Sequence, residues 1–225
     1  MYSSITMATS TVEDYLKRIY LEQQAGSEDL VPMGKLATAM GVVPGTATSM
    51  VKALADSGLV EYEPRGGARL TRGGEQLALH VLRRHRLVEL FLVKVLGLDW
   101  SEVHEEAETL EHAISEKVLA KIDELLNYPS VDPHGDPIPT AKGKVTDAPL
   151  HPLTTAPMNA KLRISRVMDQ DPRFLQFLDR SGLTPGTVIS ITTREPAADA
   201  ISLKSGGNVL TLGLSAAAKV LVEPA

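Results

Sequence analysis

Cysteine is absent from all 225 residues. That excludes disulfides, thiolate zinc sites and cysteine nucleophiles, and it fits a chain of the cytoplasm. No run of eighteen apolar residues occurs, so no membrane-spanning helix is expected. The opening stretch "MYSSITMATS" has neither a basic nor an apolar segment of the kind a secretory signal needs. No Ser-His-Asp order, Walker loop, dinucleotide fingerprint or internal repeat appears; "RGGARLTRGG" is glycine-rich but follows no phosphate-loop pattern.

What is present is 43% apolar residues, enough for a sizeable core in one large domain or two smaller ones. The net charge of −5 looks wrong for a nucleic-acid binder, but it hides an asymmetry. Residues 64–94 carry Arg65, Arg69, Arg72, Arg83, Arg84, Arg86 and Lys94 against Glu75 and Glu89. Residues 99–126 carry nine acids against Lys117 and Lys121. A basic section beside an acidic one suits a protein that binds an anion at one place and cations at another.

The stretch 11–26 reads as a helix, capped by Ser10 or Thr11 and closed by Gly26. Short helices follow over 31–42 and 44–60, stopped by Gly41 and Gly58. Two β-type runs around Pro64-Arg65-Gly66-Gly67 signal a hairpin. A long helix is expected over about 72–96 and a helical block over about 100–127. Residues 128–157 are proline-rich and poorly periodic, a linker or irregular strap. Beyond it lie short alternating runs that predict a small β-barrel or sandwich, with one helical turn near "DPRFLQFLDRSG".

Helix, turn, helix, then a hairpin bearing arginines is the order of a winged helix-turn-helix. Its second helix would offer Thr46, Thr48, Ser49 and Lys52 to a DNA groove, and the hairpin would offer Arg65 and Arg69 to phosphates. The plainer alternative is an ordinary helical subdomain with a solvent loop. On a helix, His104, Glu108, Glu111 and His112 share an arc of roughly 100°. His85 and Glu89 lie four apart on the preceding helix. A solvated acidic face explains either alone. The repetition on two helices, with Asp14 on the first helix and few lysines for pairing, favours a cation site. A ferritin-like di-metal carboxylate enzyme needs Glu-x-x-His from each of two helices, and that spacing does not occur in this block.

The chain resembles the metal-dependent repressors of the diphtheria toxin repressor family, which includes the manganese transport regulators. The likeness runs through "TVEDYLKRIY", the helix-turn-helix, "LTRGGEQLA", "RRHRLVELFL", "VHEEAETLEH", "PHGDPIP" and the C-terminal runs. It implies an α+β protein: a winged helix-turn-helix DNA-binding domain (1–72), a helical metal-binding and dimerisation domain (73–140), a proline-rich linker (141–157) and an SH3-like, FeoA-like β-barrel (158–225). It also implies a homodimer on operator DNA, a primary metal set of Asp14, Glu108, Glu111 and His112, and an ancillary set of His85, Glu89 and His104. Asp14 and Glu108 stand where iron-type members carry methionine and cysteine, so Mn(II) is the expected cofactor, with Fe(II) the alternative; hard oxygen donors agree with that. Two departures stand out. Lys17 occupies the place of a further glutamate ligand of two-domain manganese regulators. The barrel ligands of iron-type relatives align with Gln170 and Arg173; an arginine cannot ligate a cation, which leaves Gln170, or Asp169 or Asp171 beside it. The implied function is a Mn(II)-dependent repressor of metal-uptake genes. A winged-helix regulator that answers a non-metal effector is the further alternative.

Overall fold

The computed structural model describes residues 9–26, 29–146 and 148–225. The described residues form two compact units, one from within 1–84 and 139–144, the other from within 85–138 and 145–225.

The first unit is a winged helix-turn-helix. Helix α1 (Ser10–Ala25) is capped by Thr9 rather than by the Ser10 or Thr11 expected from sequence: the Thr9 hydroxyl accepts the Val12 N–H at 3.4 Å. Helix α2 (Met33–Ala39) ends in a turn where Gly41 takes φ 64°, a left-handed value natural to glycine. Helix α3 (Pro44–Asp56) starts on a proline, whose missing N–H has no partner to lose there. Its Ala47, Val51 and Leu54 are buried at helical spacing, so Thr46, Ser49 and Lys52 face outward. Strands β1 (Val60–Glu63) and β2 (Gly67–Leu70) pair antiparallel, from Val60 opposite Leu70 to Glu63 opposite Gly67. Val31 joins as a one-residue third strand, exchanging two backbone bonds with Ala68 at 2.8 and 2.9 Å. A Cβ on Gly67 would lie 2.4 Å from the Val31 carbonyl oxygen, so only glycine permits this approach.

The division between units falls within the long helix α4 (Arg72–Lys94). In the second unit the helical block expected over 100–127 is two helices, α5 (Val103–Leu110) and α6 (Glu116–Leu125). Both Ala113 and Ile114 direct their N–H to Leu110 O, which closes α5, and Ser115 caps α6 by accepting from Val118 N. The break lets Ile114 pack against the buried cluster of Leu87, Leu90, Leu119 and Ile122. The proline-rich stretch also departs from the expected strap. Residues 131–137 wind into a turn closed by the Val131–Pro137 bridge, with Asp132, His134 and Asp136 buried.

The C-terminal part is a six-stranded antiparallel sheet of order β3-β8-β4-β5-β6-β7, the small SH3-like barrel expected. Its strands are β3 (His151–Pro152), β4 (Leu162–Val167), β5 (Val188–Glu195), β6 (Ala200–Ser205), β7 (Asn208–Gly213) and β8 (Val220–Pro224). Alternating Leu162 and Ile164, Ile189 and Ile191, Ile201 and Leu203, and Val220 and Val222 fill its interior. Helix α7 (Pro172–Arg180), longer than the single turn expected, adds Leu175 and Leu178; α8 (Leu214–Ala217) adds Ala217. The sheet takes in residues that composition assigned to the linker: β3 pairs with β8, and Leu153 and Ala156 are buried in the same core. Pro152 is tolerated because β3 is a two-residue edge strand. Among the described residues no helix is long and apolar enough to cross a membrane.

Candidate metal centre and DNA-reading face

The six residues expected to face DNA, four on α3 and two on the hairpin, are not equivalent. Thr46, Ser49 and Lys52 are exposed, whereas the Thr48 hydroxyl donates to its own helix at Pro44 O, 2.8 Å away. At the hairpin tip Arg65 is exposed and sits at φ 68°. Arg69 is held: its guanidinium meets Glu61 Oε2 at 2.6 Å and Asp29 Oδ2 at 2.7 Å, and these carboxylates push its pKa further up.

Helical spacing puts His85 and Glu89 on one face of α4, and both are buried. His85 Nε2 lies 3.0 Å from Glu89 Oε1 and 3.2 Å from His104 Nδ1. His104 Nδ1 lies 3.3 Å from Glu89 Oε1. The expected ancillary set of His85, Glu89 and His104 is therefore assembled. It also receives two residues expected at the primary site: Glu111 Oε2 stands 2.6 Å from His85 Nδ1, and Glu108 Oε1 lies 3.7 Å from both His85 Nδ1 and His104 Nε2. His85, His104 and Glu108 present donor atoms within 4.8 Å of one another. The stripe read from sequence is cut, because α5 stops at Leu110. Glu111 turns into the interior, and His112, half-buried, keeps its Nε2 3.5 Å from Glu111 Oε1. Burial alone pushes the Glu89 carboxyl up, but His85, His104 and His134 outweigh it and hold Glu89 well below the usual carboxylate range. Asp14, on α1 of the first unit, is half-buried, and Lys17 one turn on is buried.

A second cluster involves two residues that sequence reasoning did not single out. Glu89, Asp132 and His134 offer donor atoms within 4.8 Å of one another. Their side chains are 0%, 0% and 1% exposed. His134 Nε2 lies 2.8 Å from the Trp100 carbonyl oxygen. A carbonyl only accepts, so Nε2 carries a proton, and Nδ1 is the ring nitrogen left over. That Nδ1, together with Glu89 Oε2 and Asp132 Oδ2, has no hydrogen-bond partner among the described residues. Nδ1 faces Glu89 Oε2 at 3.9 Å, and Arg86 Nε stands 3.7 Å from Asp132 Oδ2. Burial, then the neighbouring Asp136 and Glu89, push the Asp132 carboxyl well above its usual range. His134 Nδ1 also lies 4.0 Å from Asp132 Oδ1, so two buried carboxylates and an imidazole crowd one another in the interior, an arrangement that is costly without a cation. The residues therefore fit a divalent metal with hard donors. The signal available in sequence was "DPHGD", two acids flanking a histidine across a glycine turn.

Gln170, expected as an ancillary ligand, instead donates its Nε2–H to Asp136 Oδ2 at 3.1 Å. Its neighbours are engaged too. Asp169 pairs with Lys219 Nζ at 2.5 Å, and Asp171 caps α7 by accepting from Arg173 N and Phe174 N.

Three family models match along the chain. Residues 7–68 match the iron-dependent repressor N-terminal DNA-binding domain. Residues 71–140 match the iron-dependent repressor metal-binding and dimerisation domain, and residues 151–224 match the FeoA domain. The chain is 30% identical over 225 residues to the iron-dependent repressor IdeR of Mycobacterium leprae, covering 95% of this chain and 96% of that one. It is similar to a solved manganese-dependent transcriptional repressor in complex with manganese (TM-score 0.86, 38% identity, 95% and 100% of the two chains). It is also similar to ScaR with bound Cd²⁺ (TM-score 0.78, 33% identity, 95% and 99%).

Proposed function

Because the chain belongs to the iron-dependent repressor family, whose members are metal-dependent, DNA-binding transcriptional repressors and not enzymes, we propose that this one answers to Mn(II) in the cytoplasm and represses metal-uptake genes. The observation that carries the metal choice is the donor chemistry. Apart from Gln170, every candidate ligand is a carboxylate or an imidazole, and Glu89, Asp132 and His134 each keep a buried atom with no hydrogen-bond partner among the described residues. Hard oxygen donors with one imidazole suit Mn(II), whose weak place in the divalent affinity order means that a site must select it by geometry. The iron-dependent relatives make Fe(II) the second reading.

In this proposal residues 1–72 read DNA, residues 73–140 bind metal and dimerise, and the β domain, which begins at β3, follows the linker. Asp14, Glu108, Glu111 and His112 form the primary ligand set, as the resemblance implies. His85, Glu89 and His104 form a second set, and Asp132 and His134 offer Glu89 further partners. A bound divalent cation supplies the positive charge that lets these carboxylates stay ionised side by side. Asp14 precedes the reading helix in the chain, so engaging it favours one orientation of the reading head. A ligand that prefers that state shifts the population by a coupling of about 1–3 kcal/mol per site. In a homodimer the two α3 helices would then read half-sites about one helical turn apart.

The test is operator binding by fluorescence anisotropy against buffered free Mn²⁺ and, anaerobically, Fe²⁺. Glu108→Ala and His112→Ala should each abolish metal-dependent binding and leave the fold intact by circular dichroism. Asp14→Met with Glu108→Cys should lose the Mn²⁺ response and gain one to Fe²⁺ or Co²⁺. Equal responses of the wild type to Mn²⁺ and Fe²⁺ would overturn the choice of metal.

A further inference from the structure

The turn that carries Asp132 and His134 is built from both sides. Asp132 Oδ1 accepts the N–H of His134 at 2.8 Å and of Asp136 at 2.9 Å, and Asp132 N–H returns to Asp136 O at 3.0 Å. The turn is thus one closed ring, and Oδ2 is the oxygen left over. Its far end is fixed to the sheet. Val167 N–H donates to His134 O at 2.8 Å. Gly135, at φ 86°, lies so close to β4 that a Cβ would collide with Ser165 O. The Asp136 carboxylate is gripped by the Arg166 guanidinium on β4 and by the Gln170 amide. Gln170 is itself set between two pinned residues, Asp169 on Lys219 and Asp171 at the start of α7. Little side-chain entropy therefore remains to be lost when it holds Asp136. On the helix side Arg86 Nη1 donates to Pro137 O at 2.5 Å.

We propose that Arg166 and Gln170 are positioning residues for the metal site: through Asp136 they hold the 132–136 turn so that the Asp132 carboxylate and His134 Nδ1 stay beside Glu89. The barrel then takes part in metal sensing through this turn, and Gln170 acts one bond-network away from the cation. This rests on the metal-dependent reading above. Groups that orient ligands through hydrogen bonds alter metal affinity about 10–100-fold when removed.

The measurement is Mn²⁺ binding to the full-length protein by calorimetry, with emission from Trp100 as a local reporter. Trp100 is the sole tryptophan, and its ring lies 5.6 Å from that of His134. Wild-type protein should bind Mn²⁺ with a change in Trp100 emission, and His134→Ala should lose that change. Arg166→Met and Gln170→Leu should keep the stoichiometry but shift the Trp100-reported midpoint to at least about tenfold higher Mn²⁺. Arg166→Lys should recover part of the loss, and the melting temperature of the metal-free variants should stay near wild type. Gly135→Ala should show the same shift if it folds. If Arg166→Met and Gln170→Leu both titrate like wild type while His134→Ala loses the signal, the positioning role is refuted and the metal site stands. If wild-type protein gives no Mn²⁺ binding by either readout, the metal reading and this proposal fall together.

Discussion

Arg84→Met should lower stability by about 3 kcal/mol, far more than a surface ion pair would. The Arg84 guanidinium lies 2.8 Å from Glu13 Oε1, and the two side chains are 10% and 14% exposed. Unit charges about 4 Å apart attract by about 4 kcal/mol at an effective dielectric of about 20. Desolvation of both partners offsets much of that, so the intact pair contributes little net stability. Removing one partner takes the counter-charge at 2.8 Å from a buried ion, a change that costs about 3–5 kcal/mol where nothing else compensates, and the residual exposure here points to the lower end. Removing both, in Glu13→Leu with Arg84→Met, should return most of the loss. Urea unfolding of the four proteins forms a double-mutant cycle with an expected coupling of about 2 kcal/mol. By thermal melting the single variant should fall by roughly 6–12 °C, taking about 2–4 °C per kcal/mol for a chain of this size. Because Glu13 precedes Asp14 on α1, the same variant should need more Mn²⁺ for half-maximal operator binding. Additive single effects, within about 0.5 kcal/mol, would refute the argument that the two charges stabilise each other.

Two further outcomes concern other parts of the molecule. Arg65→Ala should lower the slope of log affinity against log salt by about one unit if the side chain touches one phosphate; Arg69→Ala should do less, since Glu61 and Asp29 already hold it, and equal slopes would show that this pairing opens on DNA. Lys219 and the Asp171 amide hold the Asp169 carboxyl below its usual range against the opposing pull of burial, so the pair's contribution is present above pH about 4 and fades as acid protonates Asp169. Urea midpoints of Lys219→Met should therefore differ from wild type near neutrality, by less than about 1 kcal/mol for so exposed a pair, and converge in acid; a difference that persists in acid would assign the effect to packing against Phe174 instead.

The winged helix-turn-helix was legible because its signals are local: Pro44 starts α3, Gly41 and Gly58 stop helices, and Ala47, Val51 and Leu54 repeat at helical spacing. The pairing of His85 with Glu89 was legible for the same reason. The boundary at Leu110 was not, since the acidic stripe continues in register through His112 while the chain has already left the helix. Asp132 and His134 escaped because proline-rich composition argued for a linker. Their partner Glu89 is distant in sequence, and no periodicity reports a long-range turn-to-helix contact. Gln170 was placed near the metal by resemblance, but its hydrogen bond to Asp136 depends on how β4 runs beside the turn, which residue spacing does not encode.

The burial of Glu89, Asp132 and His134 also has a kinetic side. A cation seated among them would sit behind side chains that are 0–1% exposed, so its entry and exit would be slowed by the turn closed on α4 and β4. Its residence time then depends on local unfolding, a process of microseconds to seconds, as well as on the intrinsic ligand-exchange rate of the ion. His104 and Glu108, with side chains 45% and 38% exposed, exchange with solvent freely. One donor set would follow metal supply as it fluctuates, and the other would retain its ion after supply falls, giving the response a short memory.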